Sequence, residues 1–115
     1  MANPLPNDFK KKARLRAAPE FQAVFKNGLK VSGAFFRLYF LQNDSLHPRL
    51  GMAVPKKAVP QSVQRNRLKR ICREVFRQHN TLCAGDYVLV AQASAKTAEN
   101  AELKDELLRL MNRFS

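Results

Sequence analysis

Leu68, Ile71, Cys72, Val75, Phe76 and His79 recur at i, i+3, i+4, i+7, i+8 and i+11, the spacing of one apolar stripe along an α-helix. The stripe predicts a helix over Gln61–His79, with Pro60 suited to its first turn. Elsewhere the pattern changes. Pro19-Glu20 ahead of Phe21, Val24 and Phe25 suits a short helix with an acid in its first turn, ended by Asn27-Gly28. Val31–Gln42 is rich in aromatic and apolar residues and reads as one long strand or two short ones, with Asn43-Asp44 supplying a turn. Arg49–Val54 is a further strand, stopped by Pro55. Tyr87–Ala91 is short and continuously apolar, as expected of a buried strand, and follows a break at Ala84-Gly85-Asp86. Ala98–Phe114 is a last helix, with Leu103, Leu107, Leu110 and Phe114 along one side. These elements predict an α+β fold: a two-layer α-β sandwich, with three helices on a small mixed sheet of about four strands, in the order α-β-β-β-α-β-α. Residues 1–12 hold two prolines, two asparagines and a lysine run, and read as a flexible basic arm ahead of a single domain over residues 13–115.

Charge changes the picture most. The 115 residues hold 21 Lys and Arg against 9 Asp and Glu, a net charge of +12. A chain this small and this basic repels itself unless something anionic is near, and nucleic acid is the leading partner. The charge is also uneven. Residues 56–77 carry eight basic side chains against Glu74 alone, residues 1–43 carry eight against Asp8 and Glu20, and the last twenty residues balance four against four. A solubilising coat would intersperse both signs; two basic blocks and a neutral tail make a directional surface, suited to phosphates. No stretch approaches the roughly 20 apolar residues of a membrane-spanning helix. Two cysteines without a framework spacing, and no apolar segment in Met1–Leu15, predict a reduced, cytoplasmic protein.

On a wheel of about 100° per residue, the side of the central helix opposite Leu68, Val75 and His79 holds Asn66, Arg70, Arg73 and Arg77. Lys69 and Arg67 flank that side, and Arg65 lies nearer the core edge, beside Phe76. Neighbours on such a stripe stand about 5–6 Å apart, a spacing that suits successive phosphates, and Arg supplies the bidentate geometry. The aromatics bear on the kind of nucleic acid. Phe36, Leu38 and Phe40 would share one face of a strand and Phe35, Arg37 and Tyr39 the other. One face must be core; the other, with Phe21 and Phe25 at i, i+4 on the first helix, is a candidate stacking platform for single-stranded bases. Core packing is the competing reading for these rings, and Phe36 and Phe40 are assigned to the core on it.

Arg65-Asn66-Arg67-Leu68-Lys69-Arg70-Ile71-Cys72-Arg73-Glu74 resembles the Arg-Asn-Arg signature helix of the bacterial ribonuclease P protein family. The Phe-x-x-Val-Phe-Lys-Asn-Gly run at Phe21–Gly28, the aromatic strand ending Leu38-Tyr39, the Gly51-x-x-Val54-x-Lys56-Lys57 segment and Asp86-Tyr87 are similar to that family in order and spacing, so the resemblance runs from about Arg14 to Phe114. It implies a subunit of an endoribonuclease that removes the 5′ leader from precursor tRNA, with Mg²⁺ and the catalytic RNA performing the chemistry and the polypeptide alone inactive. It implies that Arg65, Asn66, Arg67, Lys69, Arg70, Arg73 and Arg77, with Lys56 and Lys57, meet the RNA subunit, and that Phe21, Phe25, Tyr39 and Arg14 receive the single-stranded leader. It also implies a left-handed β-α-β crossover, against the general preference. Where family members often carry a basic residue after the buried strand, this chain has Gln92, with Lys96 further on; the Lys10-Lys11-Lys12 run offers diffuse phosphate contact instead.

The residues themselves point to no self-contained hydrolase. The nine carboxylates are scattered without a pair assignable to one cleft, and Gly28, Gly33, Gly51 and Gly85 stand too far apart for a phosphate-cradling loop. Cys72, His79 and Cys83 are three ligands at non-standard spacing where structural zinc takes four, so no protein-bound metal and no organic cofactor is expected, and Cys72 reads as a small core residue. A ribosomal or ribosome-associated protein would share the charge and the fold class. A DNA-binding helix-turn-helix needs a helix just before the basic one, which Pro55 and Pro60 oppose.

Overall fold

A computed structural model describes residues 18–42, 47–79 and 82–114 of the chain; the basic arm assigned to residues 1–12 lies outside them. Among the described residues, the chain runs through α1 (Ala18–Asn27), β1 (Leu29–Ser32), β2 (Phe36–Leu41), β3 (Arg49–Ala53), α2 (Ser62–Gln78), β4 (Asp86–Ala91), a 3₁₀ turn (Ala93–Thr97) and α3 (Asn100–Asn112). The apolar run after α1 is thus two strands, and the order of helices and strands is the predicted one. Residues 55–59 before α2 form a turn, with the Ala58 and Val59 N–H groups donating to the Pro55 carbonyl, not the first helix of a helix-turn-helix.

The four strands lie in the order β1-β2-β4-β3. β1 with β2 and β2 with β4 are antiparallel, while β3 and β4 are parallel and joined through α2. Register decides which side chains meet. Phe36, Leu38 and Phe40 stand opposite Ala91, Leu89 and Tyr87, and Leu50 and Met52 stand opposite Tyr87 and Leu89. This face carries the main core. Leu68, Ile71, Cys72, Val75 and Phe76 of α2 and Leu103, Leu107, Leu110 and Met111 of α3 are buried against it. Aromatic rings fill one end, with Phe40 4.8 Å from Tyr87 and 4.9 Å from Phe114 between ring centres, and the Tyr87 hydroxyl donates to the Cys83 carbonyl at 2.6 Å. Burial, with Cys83 beside it as a lesser cause, raises the Tyr87 phenol above its ordinary range.

The other face carries Arg37, Tyr39 and Leu41 opposite Val90, Val88 and Asp86. α1 crosses it, burying Val24 against Val88. Gly28 ends α1 because the chain turns there onto the sheet: a β-carbon would sit 2.5 Å from the Val24 carbonyl oxygen and 2.6 Å from that of Phe40. Phe35 departs from the strand alternation. It lies in the turn between β1 and β2 and packs against the main core, so it is absent from the face on which alternation places it.

That turn is held from outside. Glu106 of α3 is 1% exposed, and its carboxylate accepts from the N–H groups of Ala34 (2.6 Å), Phe35 (2.8 Å) and Phe36 (2.8 Å). Gly33 makes room for it, since a β-carbon there would lie 2.5 Å from the carboxylate carbon. The carbonyls of the same turn accept from the 3₁₀ segment: Gly33 from Gln92 Nε2 (2.9 Å), Ala34 from Ser94 Oγ (2.6 Å) and Phe35 from the Gln92 N–H (2.9 Å). Buried backbone groups need such partners, and this hairpin finds them on segments about 60–70 residues away.

Candidate nucleic-acid interface

α2 presents its polar side as the spacing predicts. Asn66, Arg70 and Arg77 are exposed and Lys69 is half-buried at the flank, but Arg73, which the wheel sets with the exposed three, is half-buried as well. Glu74, the one acid within this basic run, pairs with Lys104 of α3 at 3.1 Å. The first turn of the helix carries no acid, and Gln61 at its N-cap makes no side-chain capping bond. The partial positive charge of that end therefore adds to Lys56 and Lys57, which stand exposed on the turn leading into it. Basic side chains and helix dipole together make one electropositive strip running from residue 56 to residue 77.

Two arginines of the signature turn inward. Arg65 Nη1 donates to the carbonyls of Val59 (3.0 Å) and Pro60 (2.6 Å), tying the helix to the turn before it. Arg67 donates through Nε to Gln64 Oε1 (2.9 Å), through Nη1 to the Ala98 carbonyl (3.4 Å) and Asn100 Oδ1, and through Nη2 to the carbonyls of Ala95 (3.4 Å) and Lys96 (3.3 Å). Spacing along the helix places these residues but does not distinguish an inward guanidinium from an outward one.

The second grouping is aromatic. Phe21 and Phe25 of α1 stand edge to face with ring centres 6.4 Å apart, and Phe25 meets Tyr39 of β2 at 4.9 Å with the planes at 81°, a favourable quadrupolar arrangement. Phe25 is 41% exposed while Phe21 and Tyr39 are half-buried. Lys30, paired in register with Tyr39, and Arg37 are exposed on the same face. Beyond α1, Gly51 and Ala53 of β3 continue this face beside Val88 and Val90, and their small side chains keep its floor low. Gly51 belongs to the Gly51-x-x-Val54-x-Lys56-Lys57 segment named above, whereas Ala53 was not among the predicted site residues, although alternation along β3 sets it on this face. At the end of the strands Arg49 grips Asp86 with two bonds, Nε to Oδ1 at 2.8 Å and Nη2 to Oδ2 at 3.0 Å. Rings, cations and an apolar floor together suit stacked bases with phosphates between them. Phe21, Phe25 and Tyr39 thus come together; Arg14, predicted to join them, lies outside the described residues.

Among the described residues the buried acids and the buried cysteine are engaged in the fold. Asp86 is held by Arg49 and Glu106 by three amides. Cys72 is buried, which pushes its thiol up to about 12, with Arg73 opposing the shift, so it packs as a neutral side chain. His79 sits at the C-terminal end of α2 with Nε2 2.8 Å from Asn112 Oδ1. Among the described residues no three His, Cys, Asp or Glu side chains converge as a metal-binding group. Gln92, which follows the buried strand where family members often carry a basic residue, bonds the β1–β2 turn.

Residues 9–115 match the protein family described as Ribonuclease P. The chain is similar to the ribonuclease P protein component of Vibrio cholerae, with 41% identity over 108 residues covering 93% of this chain and 92% of that one. It is similar to that of Pseudomonas syringae pv. tomato at 42% over 113 residues, covering 96% and 85%. Among solved structures it resembles a Staphylococcus aureus RNase P protein mutant with defective mRNA degradation activity, with a TM-score of 0.86 and 29% identity over 93% of this chain and 92% of that one. It also resembles the RNase P protein of Thermotoga maritima, with a TM-score of 0.79 and 29% identity over 89% and 97%.

Proposed function

Because this chain belongs to the bacterial ribonuclease P protein family, and so is a subunit of a tRNA-processing endoribonuclease, we propose that it binds the catalytic RNA through α2 and the single-stranded 5′ leader of precursor tRNA through the α1–sheet face. The observation that carries this is the pairing of two surfaces on one small domain: an arginine strip suited to a folded RNA backbone, and an aromatic face suited to unpaired bases. The strip, with Asn66, Lys69, Arg70, Arg73, Arg77, Lys56 and Lys57, neutralises phosphates of the RNA subunit. The rings of Phe21, Phe25 and Tyr39 stack leader bases, while Lys30 and Arg37 draw the intervening phosphates. Arg14 joins them in this reading. The chain supplies no group that attacks the phosphodiester. It holds the substrate's leader, and lowers the Mg²⁺ the RNA needs by neutralising charge where RNA strands crowd together. No helix among the described residues is long and apolar enough to cross a membrane, and a cytoplasmic location fits this role.

Arg70→Ala tests the first surface. Arg70 is exposed and contributes nothing to the core, so the melting midpoint should stay put. Affinity for the RNA subunit should fall by about 1.5–3 kcal/mol, the worth of one charge-assisted contact, and the slope of log K against log salt should shrink by about 0.7–0.9. An unchanged slope would place the RNA on another face.

A further inference from the structure

Arg67 has five N–H donors, and the structure gives all five an acceptor inside the protein: Gln64 Oε1, Asn100 Oδ1 and the carbonyls of Ala95, Lys96 and Ala98. Four of these belong to the 3₁₀ turn and the start of α3, so one planar fork ties the signature helix to a segment about 30 residues downstream. The same 3₁₀ segment, at its other end, bonds the carbonyls of the β1–β2 turn through Gln92 and Ser94, while Glu106 takes that turn's N–H groups. β2 leaves the turn directly and carries Arg37 and Tyr39 on the face that α1 crosses.

We infer that Arg67 is a positioning residue and not a phosphate contact: it fixes the 3₁₀ turn, which latches the β1–β2 hairpin and so sets where Tyr39 and Arg37 stand. The consequence for substrate rests on the leader reading above. Two surfaces are joined by this route, the helix that meets the RNA subunit and the strand that meets the leader. A guanidinium is needed because a lysine ammonium has three donors and cannot serve five acceptors. The 3₁₀ turn supplies rigidity at the junction, with Ala95 fully buried beneath it.

The test compares Arg67→Lys, Arg67→Ala and Ser94→Ala in the reconstituted holoenzyme. Ser94→Ala alters the latch without touching α2 or any charge, and so keeps the test alive should the Arg67 variants fold poorly. Three quantities are read: hydrogen exchange of the Ala34, Phe35 and Phe36 amides, the salt slope of binding to the RNA subunit, and the preference for precursor over mature tRNA. All three variants should speed exchange at these amides and reduce precursor preference by about three- to tenfold, with the salt slope unchanged. The inference is overturned if Arg67→Lys matches the parent while Arg67→Ala shrinks the slope by about 0.7–0.9, since charge alone would then matter. It is equally overturned if exchange at residues 34–36 does not move. Tyr39→Ala in the same assay separates the two ideas. If that variant also leaves precursor preference intact, the leader reading has failed, and the exchange data still decide the latch.

Discussion

Glu106→Ala is expected to lower the stability of the folded chain by about 3–5 kcal/mol, because three N–H groups, that of Phe36 buried and those of Ala34 and Phe35 partly so, lose a charged acceptor at once. The carboxylate is 1% exposed and its three bonds are 2.6–2.8 Å long, so water cannot easily replace it. A domain of this size has roughly 5–15 kcal/mol in total, so the loss is a large fraction and should lower the melting midpoint by about 10–20 °C. Glu106→Gln should not restore the parent midpoint. It keeps one acceptor oxygen but turns an NH₂ group toward amide donors. Thermal or urea unfolding is best followed at one fixed sulfate concentration, since an anion bound to so basic a chain stabilises the folded state by mass action. A midpoint within a degree or two of the parent would mean that Gln92 and Ser94 hold the turn without help from α3.

The second large effect concerns the substrate. Phe25→Ala together with Tyr39→Ala should weaken holoenzyme binding to precursor tRNA by about 1–3 kcal/mol for each base that stacks, roughly fivefold to 150-fold for one base, and leave mature tRNA binding unchanged. Phe25 is 41% exposed, and neither ring belongs to the main core, so the variant should fold. A circular dichroism melt checks that independently. Titration of precursor and mature tRNA against the same holoenzyme reads the difference, and equal losses for both substrates would remove the rings from the leader path.

Much of this arrangement is legible in the sequence. α2 was plain because five apolar residues at 3.6-residue spacing admit one arrangement, and the side left over had to hold the arginines. The ring cluster was legible in part: Phe21 and Phe25 at i, i+4 define a helix stripe, but only the crossing of α1 over β2 brings Tyr39 to it. The split of Val31–Gln42 into β1 and β2 was open, because the turn at Gly33 is specified by Glu106, far along the chain. Glu106 did carry a signal. With Leu103, Leu107 and Leu110 it falls at i, i+3, i+4 and i+7, so it is an acid on an apolar stripe, and such a residue needs buried partners. The 3₁₀ turn left no trace in the pattern, since five small and polar residues have no period. The inward direction of Arg65 and Arg67 was equally hidden: it depends on carbonyls that only the folded chain assembles.

The most direct measurement is cleavage of precursor tRNA by a bacterial ribonuclease P RNA at low Mg²⁺, with and without this protein. Cleavage at the mature 5′ end that requires both components is the expected result. Tight binding of the protein to that RNA with no gain in cleavage at any Mg²⁺ concentration would contradict the role proposed for it.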